Sequence, residues 1–302
     1  MTMLIDTHHH AIPDFYAAAL RKAGLGEIDG FPIPDWDVEK SLSLMEKVGI
    51  GFAVLSISAP GVSFLHGSQA RDLAMQCNDF LSSLHRQYPD KFGFFATVPL
   101  DDLSEGIREA NRALDELGAH GLCLLTNHRG TYLGDERFWP LYKTLNERKA
   151  RVFLHPTAPE DKKPIGLRPP ILDYPVDTTY AVAHLLAAGV FDKFPKIEWT
   201  LSHCGGAVPF LSKRIVIGSA NVGKNLLKAY HSTGLMKELR YDTALQFDPD
   251  ILRLTASASN HELSYGSDFP FIPDLMILYL AKILRDSELI KDARLEVESR
   301  VS

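Results

Sequence analysis

The stretch Leu4-Ile5-Asp6-Thr7-His8-His9-His10 opens on two apolar residues and closes on three histidines, the pattern of a buried strand whose end meets an opening. Side chains alternate along a strand, so His8 and His10 share one face and His9 takes the other. Asp6 falls, by the same count, on the His8 and His10 face, one step deeper, where it either orients an imidazole or serves as a polar core residue. Two imidazoles on one side at the C-terminal end of a barrel strand converge on the axis, where barrel enzymes carry their chemistry.

Seven further segments repeat this pattern of a short apolar run ending in polar residues. With the first at 4–10, they lie at 52–58, 92–100, 121–127, 151–157, 198–204, 240–245 and 263–269. Amphipathic segments separate them, with helices expected at 69–87, 104–117, 138–148, 179–191 and 274–284. Eight strand–helix units predict an α/β fold closed into a (β/α)8 barrel. No internal repeat or linker divides the chain, so residues 1–302 read as a single domain. Two inserted loops, 24–37 and 158–177, are rich in proline and lack periodicity, which suits covers for the barrel mouth. The final stretch, 290–302, is charged and has little to bury.

Composition narrows the function. A hydrophobic fraction of 45% and a charged fraction of 23% are ordinary for a globular chain able to bury a core. A net charge of −6, without a cluster of Lys and Arg, argues against nucleic acid or an anionic membrane as partner and leaves a small molecule. The N-terminus lacks the apolar stretch of a signal peptide, and no run reaches the ~18 apolar residues of a membrane span. Cys77, Cys123 and Cys204 are odd in number and widely spaced, which fits a reducing cytoplasm rather than a disulfide framework.

An isolated His-x-His is a weak signal, but three other strand ends repeat it in kind. Phe153-Leu154-His155-Pro156, Thr200-Leu201-Ser202-His203-Cys204 and Tyr265-Gly266-Ser267-Asp268-Phe269 each carry one ligand-type residue. Imidazole suits zinc, iron and similar cations. Cys204 faces away from His203 by alternation and reads as a small buried filler. His66, His85, His120, His128, His184, His231 and His261 fall on helices or loops and read as structural or solvent-facing.

Together, the segments 6–10, 153–156, 202–210 (Ser-His-Cys-Gly-Gly-Ala-Val-Pro-Phe) and 266–271 (Gly-Ser-Asp-Phe-Pro-Phe) resemble the amidohydrolase-2 family, whose members include aminocarboxymuconate-semialdehyde decarboxylases. Their order and spacing agree from the first strand to the eighth. The resemblance implies an amidohydrolase-superfamily barrel in which His8, His10, His155 and Asp268 hold one divalent metal ion, zinc before manganese. It makes His203 a catalytic acid/base. Segments 121–127 and 151–157 lack the Lys through which many superfamily members hold a second metal, so a mononuclear site is expected.

Segments 56–62, 92–100, 124–127 and 153–157 resemble 6-methylsalicylate decarboxylase-type members more closely. The implied activity is metal-dependent, non-oxidative decarboxylation of a small salicylate-like acid, with His203 or Asp268 supplying the proton as carbon dioxide leaves. Arg214 stands eleven residues after His203, where the semialdehyde decarboxylases have an arginine that reaches substrate in the neighbouring subunit; a homodimer is thereby implied. The loop 24–37 offers Phe31 and Trp36 but no Lys or Arg, which favours a weakly charged aromatic substrate. Asn127 and Thr243 are expected to hydrogen-bond a phenol, and Phe15, Trp36 and Phe271 to stack on its ring. Two other readings stay open: a metal-dependent hydrolase of a lactone or amide, and an inactive metal-binding scaffold.

Overall fold

The computed structural model describes residues 3–160, 165–220, 226–287 and 289; the charged tail at 290–302 lies outside them. Seven parallel strands run side by side in chain order: β1 (Leu4–His10), β2 (Ile50–Ser56), β3 (Phe92–Ala96), β4 (Gly121–Leu125), β5 (Arg151–His155), β6 (Glu198–Leu201) and β7 (Arg240–Tyr241). Residues 263–269 close the ring. Backbone bridges join Ser264 to Asp242 on one side, and Tyr265 and Phe269 to Asp6 and His9 on the other. The (β/α)8 barrel read from the sequence is the fold observed.

Around the strands lie α1 (Asp14–Lys22), α2 (Val38–Val48), α3 (Gly67–Gln87), α4 (Leu103–Asp115), α5 (Trp139–Glu147), α6 (Pro169–Ala187), α7 (Val190–Lys193), α8 (Val208–Ala220), α9 (Leu226–Lys237), α10 (Pro249–Ala258) and α11 (Asp274–Ser287). Among the described residues, no helix is long and apolar enough to cross a membrane.

Two apolar layers follow from strand alternation. Outward side chains such as Leu55, Leu124, Leu154 and Leu201 join the large cluster beneath the helices. Inward ones form a separate small plug of Val54, Phe95, Cys123 and Phe153, with Phe52 at its edge. The rings of Phe95 and Phe153 stack at 5.4 Å, so this plug fills the barrel axis.

Most strands stop earlier than expected at their C-terminal ends. The third ends at Ala96 rather than 100, the sixth at Leu201 rather than 204, and the seventh at Tyr241 rather than 245. At the mouth the backbone leaves the sheet to aim side chains. Both inserted loops also hold structure. A two-stranded hairpin, Glu27–Ile28 with Phe31–Pro32, occupies the first. The second contains the start of α6, which begins at Pro169 rather than 179 and continues through Pro175. Prolines at the first helical positions suit a helix start, because their missing N–H groups lack helical partners there anyway. Gly206 has φ +61°, and a Cβ on it would lie 2.0 Å from the Pro175 carbonyl oxygen. The glycine is what lets the turn after β6 approach α6.

Candidate metal centre

β1 carries a register shift between Asp6 and His9 against β2, so simple alternation fails there. His8 and His10 still converge on the axis, with ring centroids 4.8 Å apart and each about 5 Å from the His155 ring. Asp6, however, turns to the opposite face. Its Oδ2 lies 3.0 Å from His9 Nδ1, and its Oδ1 accepts from the backbone N–H groups of His8 and Ser267. It therefore orients His9 and the crossing backbone, not the paired imidazoles, because the bulge displaces it by one side of the strand.

His8, His10, His155 and Asp268 are buried and offer one ligand atom each, all within 4.8 Å of one another. Every imidazole is anchored through Nδ1. His8 Nδ1 meets Asp242 Oδ2 at 2.7 Å, His10 Nδ1 meets Ser56 Oγ at 2.9 Å, and His155 Nδ1 donates to the Pro156 carbonyl at 2.7 Å. Such anchors fix ring orientation and leave Nε2 free as a donor toward a metal. Nε2 of His8 and of His10 is buried without a hydrogen-bond partner among the described residues. Orphaned imidazole nitrogens aimed at one point, with a carboxylate beside them, fit a single divalent cation. The chain thus carries a divalent metal site.

The electrostatics agree. Burial lowers His10 to about 4 and, with the neighbouring rings of His10, His8 and His203, holds His155 well below its ordinary value; both stay neutral. Burial opposes charge on His8, yet Asp242 and Asp268 outweigh it and raise the ring to about 10. Asp268 Oδ1 lies 3.3 Å from the His8 Nε2 atom. Burial disfavours ionised Asp268, but the surrounding histidines carry its carboxyl well below the usual range.

His203 and Asp268 reach the mouth through left-handed backbone, at φ +53° and +54°. Non-glycine residues adopt this region at a cost of order 1 kcal/mol, tolerated where the surroundings demand it. Asp268 divides its oxygens: Oδ1 lies 3.3 and 3.4 Å from the Nε2 atoms of His8 and His10, and Oδ2 lies 3.7 Å from His203 Nε2. Asp242 is the residue the sequence reading missed. Beyond anchoring His8, its Oδ1 accepts from the backbone N–H groups of His203 and Ala244 at 2.8 and 2.9 Å, tying two site histidines to β7.

A cavity of about 240 Å³ opens above these groups. His155, His203 and Asp268 line it together with Ser58 and Tyr174, and Ile28, Phe31, Ile171, Leu245, Phe271 and Met276 supply much of its apolar surface. Phe271, expected to stack on a substrate ring, lies in this lining, 5.6 Å from the His10 ring. Trp36 is not: it is buried outside the cavity, donating through Nε1 to Ser41 Oγ, which also meets His9 Nε2. Phe15 packs edge-on against Phe80, away from the cavity lining. Asn127 is consumed structurally, since its amide donates to Asp177 Oδ2 and accepts from Gly130 N–H. Thr243 is fully buried and absent from the cavity wall. Arg214 is exposed on α8, outside its own chain's site. Cys204 is buried, as expected, though a left-handed turn rather than strand alternation turns it away.

A 6-methylsalicylic acid decarboxylase from Penicillium expansum is 33% identical over 303 aligned residues, which cover 98% of this chain and 93% of that protein. A crystal structure of an amidohydrolase II matches with a TM-score of 0.88 and 31% identity, over 95% of this chain and 94% of that one. A dihydroxybenzoic acid decarboxylase from Polaromonas, crystallised with manganese and the inhibitor 2-nitroresorcinol, shares the fold at a TM-score of 0.76 and 23% identity, over 97% and 92% of the two chains. The profile of the amidohydrolase family matches residues 5–293, and with that span and these relatives the chain belongs to the amidohydrolase family.

Proposed function

We propose that the chain is a metal-dependent, non-oxidative decarboxylase of a small aromatic carboxylic acid of the salicylate type. The observation that carries this reading is an apolar, one-ring-sized cavity set directly on a cluster of three imidazoles and one carboxylate. Drug-sized sites occupy ~300–1,000 Å³, so a cavity below that range suits a single ring. His8, His10, His155 and Asp268 would hold the ion. A divalent cation bound there supplies the positive charge that draws in and polarises an acidic substrate.

The chain's own groups do the rest. The apolar wall takes the ring and excludes water. In decarboxylation the ring–carboxylate bond breaks, its electron pair stays on the ring carbon, and that carbon takes up one proton. His203, whose Nε2 faces Asp268 Oδ2, and Asp268 are the groups placed to deliver it. The donor set suits zinc first and accommodates manganese, the ion of the Polaromonas relative.

The reading extends to a homodimer of single-domain chains. Phe210, Arg214 and Ile217 share one exposed stripe of α8, at i, i+4 and i+7, and α6 adds Leu172, Val176 and Tyr180 on a similar exposed stripe. A second copy would cover this surface and place Arg214 toward its partner. The three free, buried cysteines suit a reducing cytoplasm. Elemental analysis with a carbon dioxide release assay on salicylate, 6-methylsalicylate and dihydroxybenzoates tests the activity. One metal per chain with gas release is expected, whereas hydrolysis of a lactone or amide without gas would overturn it.

A further inference from the structure

The inward side chains of β2 rise in a column: Val54 in the axial plug, Ser56 against the His10 ring, and Ser58, two residues on, in the cavity wall with His155, His203 and Asp268. Ile57 between them turns outward into the shell beneath the helices. The Ser58 carbonyl accepts from Gly61 N–H at 2.8 Å, but its hydroxyl makes no hydrogen bond among the described residues. Tyr174, the other hydroxyl in the wall, already donates to Asp29 Oδ2 at 2.6 Å. No Lys or Arg lines the cavity among the described residues. Ser58 is only 5% exposed, and its hydroxyl is not among the fully buried groups left without a partner; in the cavity wall, a ligand oxygen or water can reach and satisfy it.

This deepens the decarboxylase reading and rests on it: we propose that Ser58 is a substrate-positioning residue whose hydroxyl binds an oxygen substituent of the aromatic ring. The substrate class then follows from the wall. It is a phenolic acid with a single carboxylate, which meets the metal centre, a ring oxygen, which meets Ser58, and an otherwise apolar edge, which meets Ile28, Phe271 and Met276.

The test uses metal-loaded wild type, Ser58→Ala and Ser58→Thr. The measurements are metal content, kcat and KM for 6-methylsalicylate, and Kd for 2-nitrophenol against nitrobenzene, which differ by the ring hydroxyl. Metal content should not change in either variant. Ser58→Ala should raise KM about 10-fold with a smaller effect on kcat, and abolish an approximately 10-fold wild-type preference for 2-nitrophenol over nitrobenzene. Ser58→Thr, which keeps the hydroxyl, should restore both to within a few-fold. Wild-type gas release with Ser58→Ala unchanged, or with Ala and Thr equally impaired, sinks the role of Ser58 alone. A metal-loaded wild type that neither releases gas nor binds 2-nitrophenol removes the decarboxylase reading and this inference with it.

Discussion

Two sets of histidines sit at opposite ends of this barrel, and they have opposite characters. At the mouth, His8, His10 and His155 each anchor Nδ1 on an oxygen and turn Nε2 toward a common point beside Asp268. At the floor, His85 donates to the Phe92 carbonyl, and its ring stands at 90° to that of His120, 5.3 Å away. His120 leans on Phe52 and leaves Nδ1 without a hydrogen-bond partner among the described residues. Burial, then His85 and Arg151, lower His120 to about 4. Histidines packed together do not by themselves make a ligand site. The mouth differs in having a carboxylate at the focus and oxygen anchors behind the rings.

The sharpest way to break this contrast is to delete one ring at each end. His155→Ala should release the metal and reduce turnover about 10³-fold or more, whereas His120→Ala should leave metal content at the wild-type value; elemental analysis and gas release distinguish them. Retained metal in the His155 variant would overturn the ligand assignment. Next in size, His203→Asn should keep the metal while kcat falls ~10²–10⁴-fold, the usual worth of a general acid. Loss of metal in that variant would move His203 into the ligand set.

Anchors come third. Asp242→Asn should weaken metal binding ~10–100-fold, read by competition with a chelator, because His8 loses its charged partner. The smallest effect belongs to the floor. Folded His120, near 4, refuses a proton that the unfolded chain accepts below 6.5, so its contribution to stability is complete above 6.5 and is lost as pH falls toward 4. In thermal melts across that window, His120→Phe should lose less stability than wild type on acidification, by a few degrees. Equal slopes would mean that His120 is protonated in the folded state as readily as in the unfolded one.

How much of this was legible in the residues depended on distance along the chain. The barrel and the convergence of His8, His10, His155, His203 and Asp268 follow from strand periodicity and from where each apolar run stops. Asp242 did not announce itself, although Arg240-Tyr241-Asp242-Thr243 has the same form of a strand ending in a polar residue; the sequence pointed to Thr243, which is buried away from the cavity wall. Asp6 was assigned to the wrong face because a bulge in β1 is invisible to a count of alternation. Trp36 and Asn127 looked like substrate contacts because they lie near the mouth in sequence order. Their polar atoms are committed to Ser41, Asp177 and Gly130, partners that no spacing reveals.

The axial plug has a kinetic corollary. Phe153 packs edge-on beneath the His8 ring at 5.0 Å and stacks on Phe95 below, so the metal centre rests on a sealed floor. Closed from beneath among the described residues, the chamber is reached from the barrel mouth, so acid and product share that approach. The phenol left after carbon dioxide departs shares its ring with the incoming acid and therefore contends for the same seat. Product inhibition of this enzyme should be competitive with the acid, and turnover at high conversion should be governed by how quickly the mouth clears.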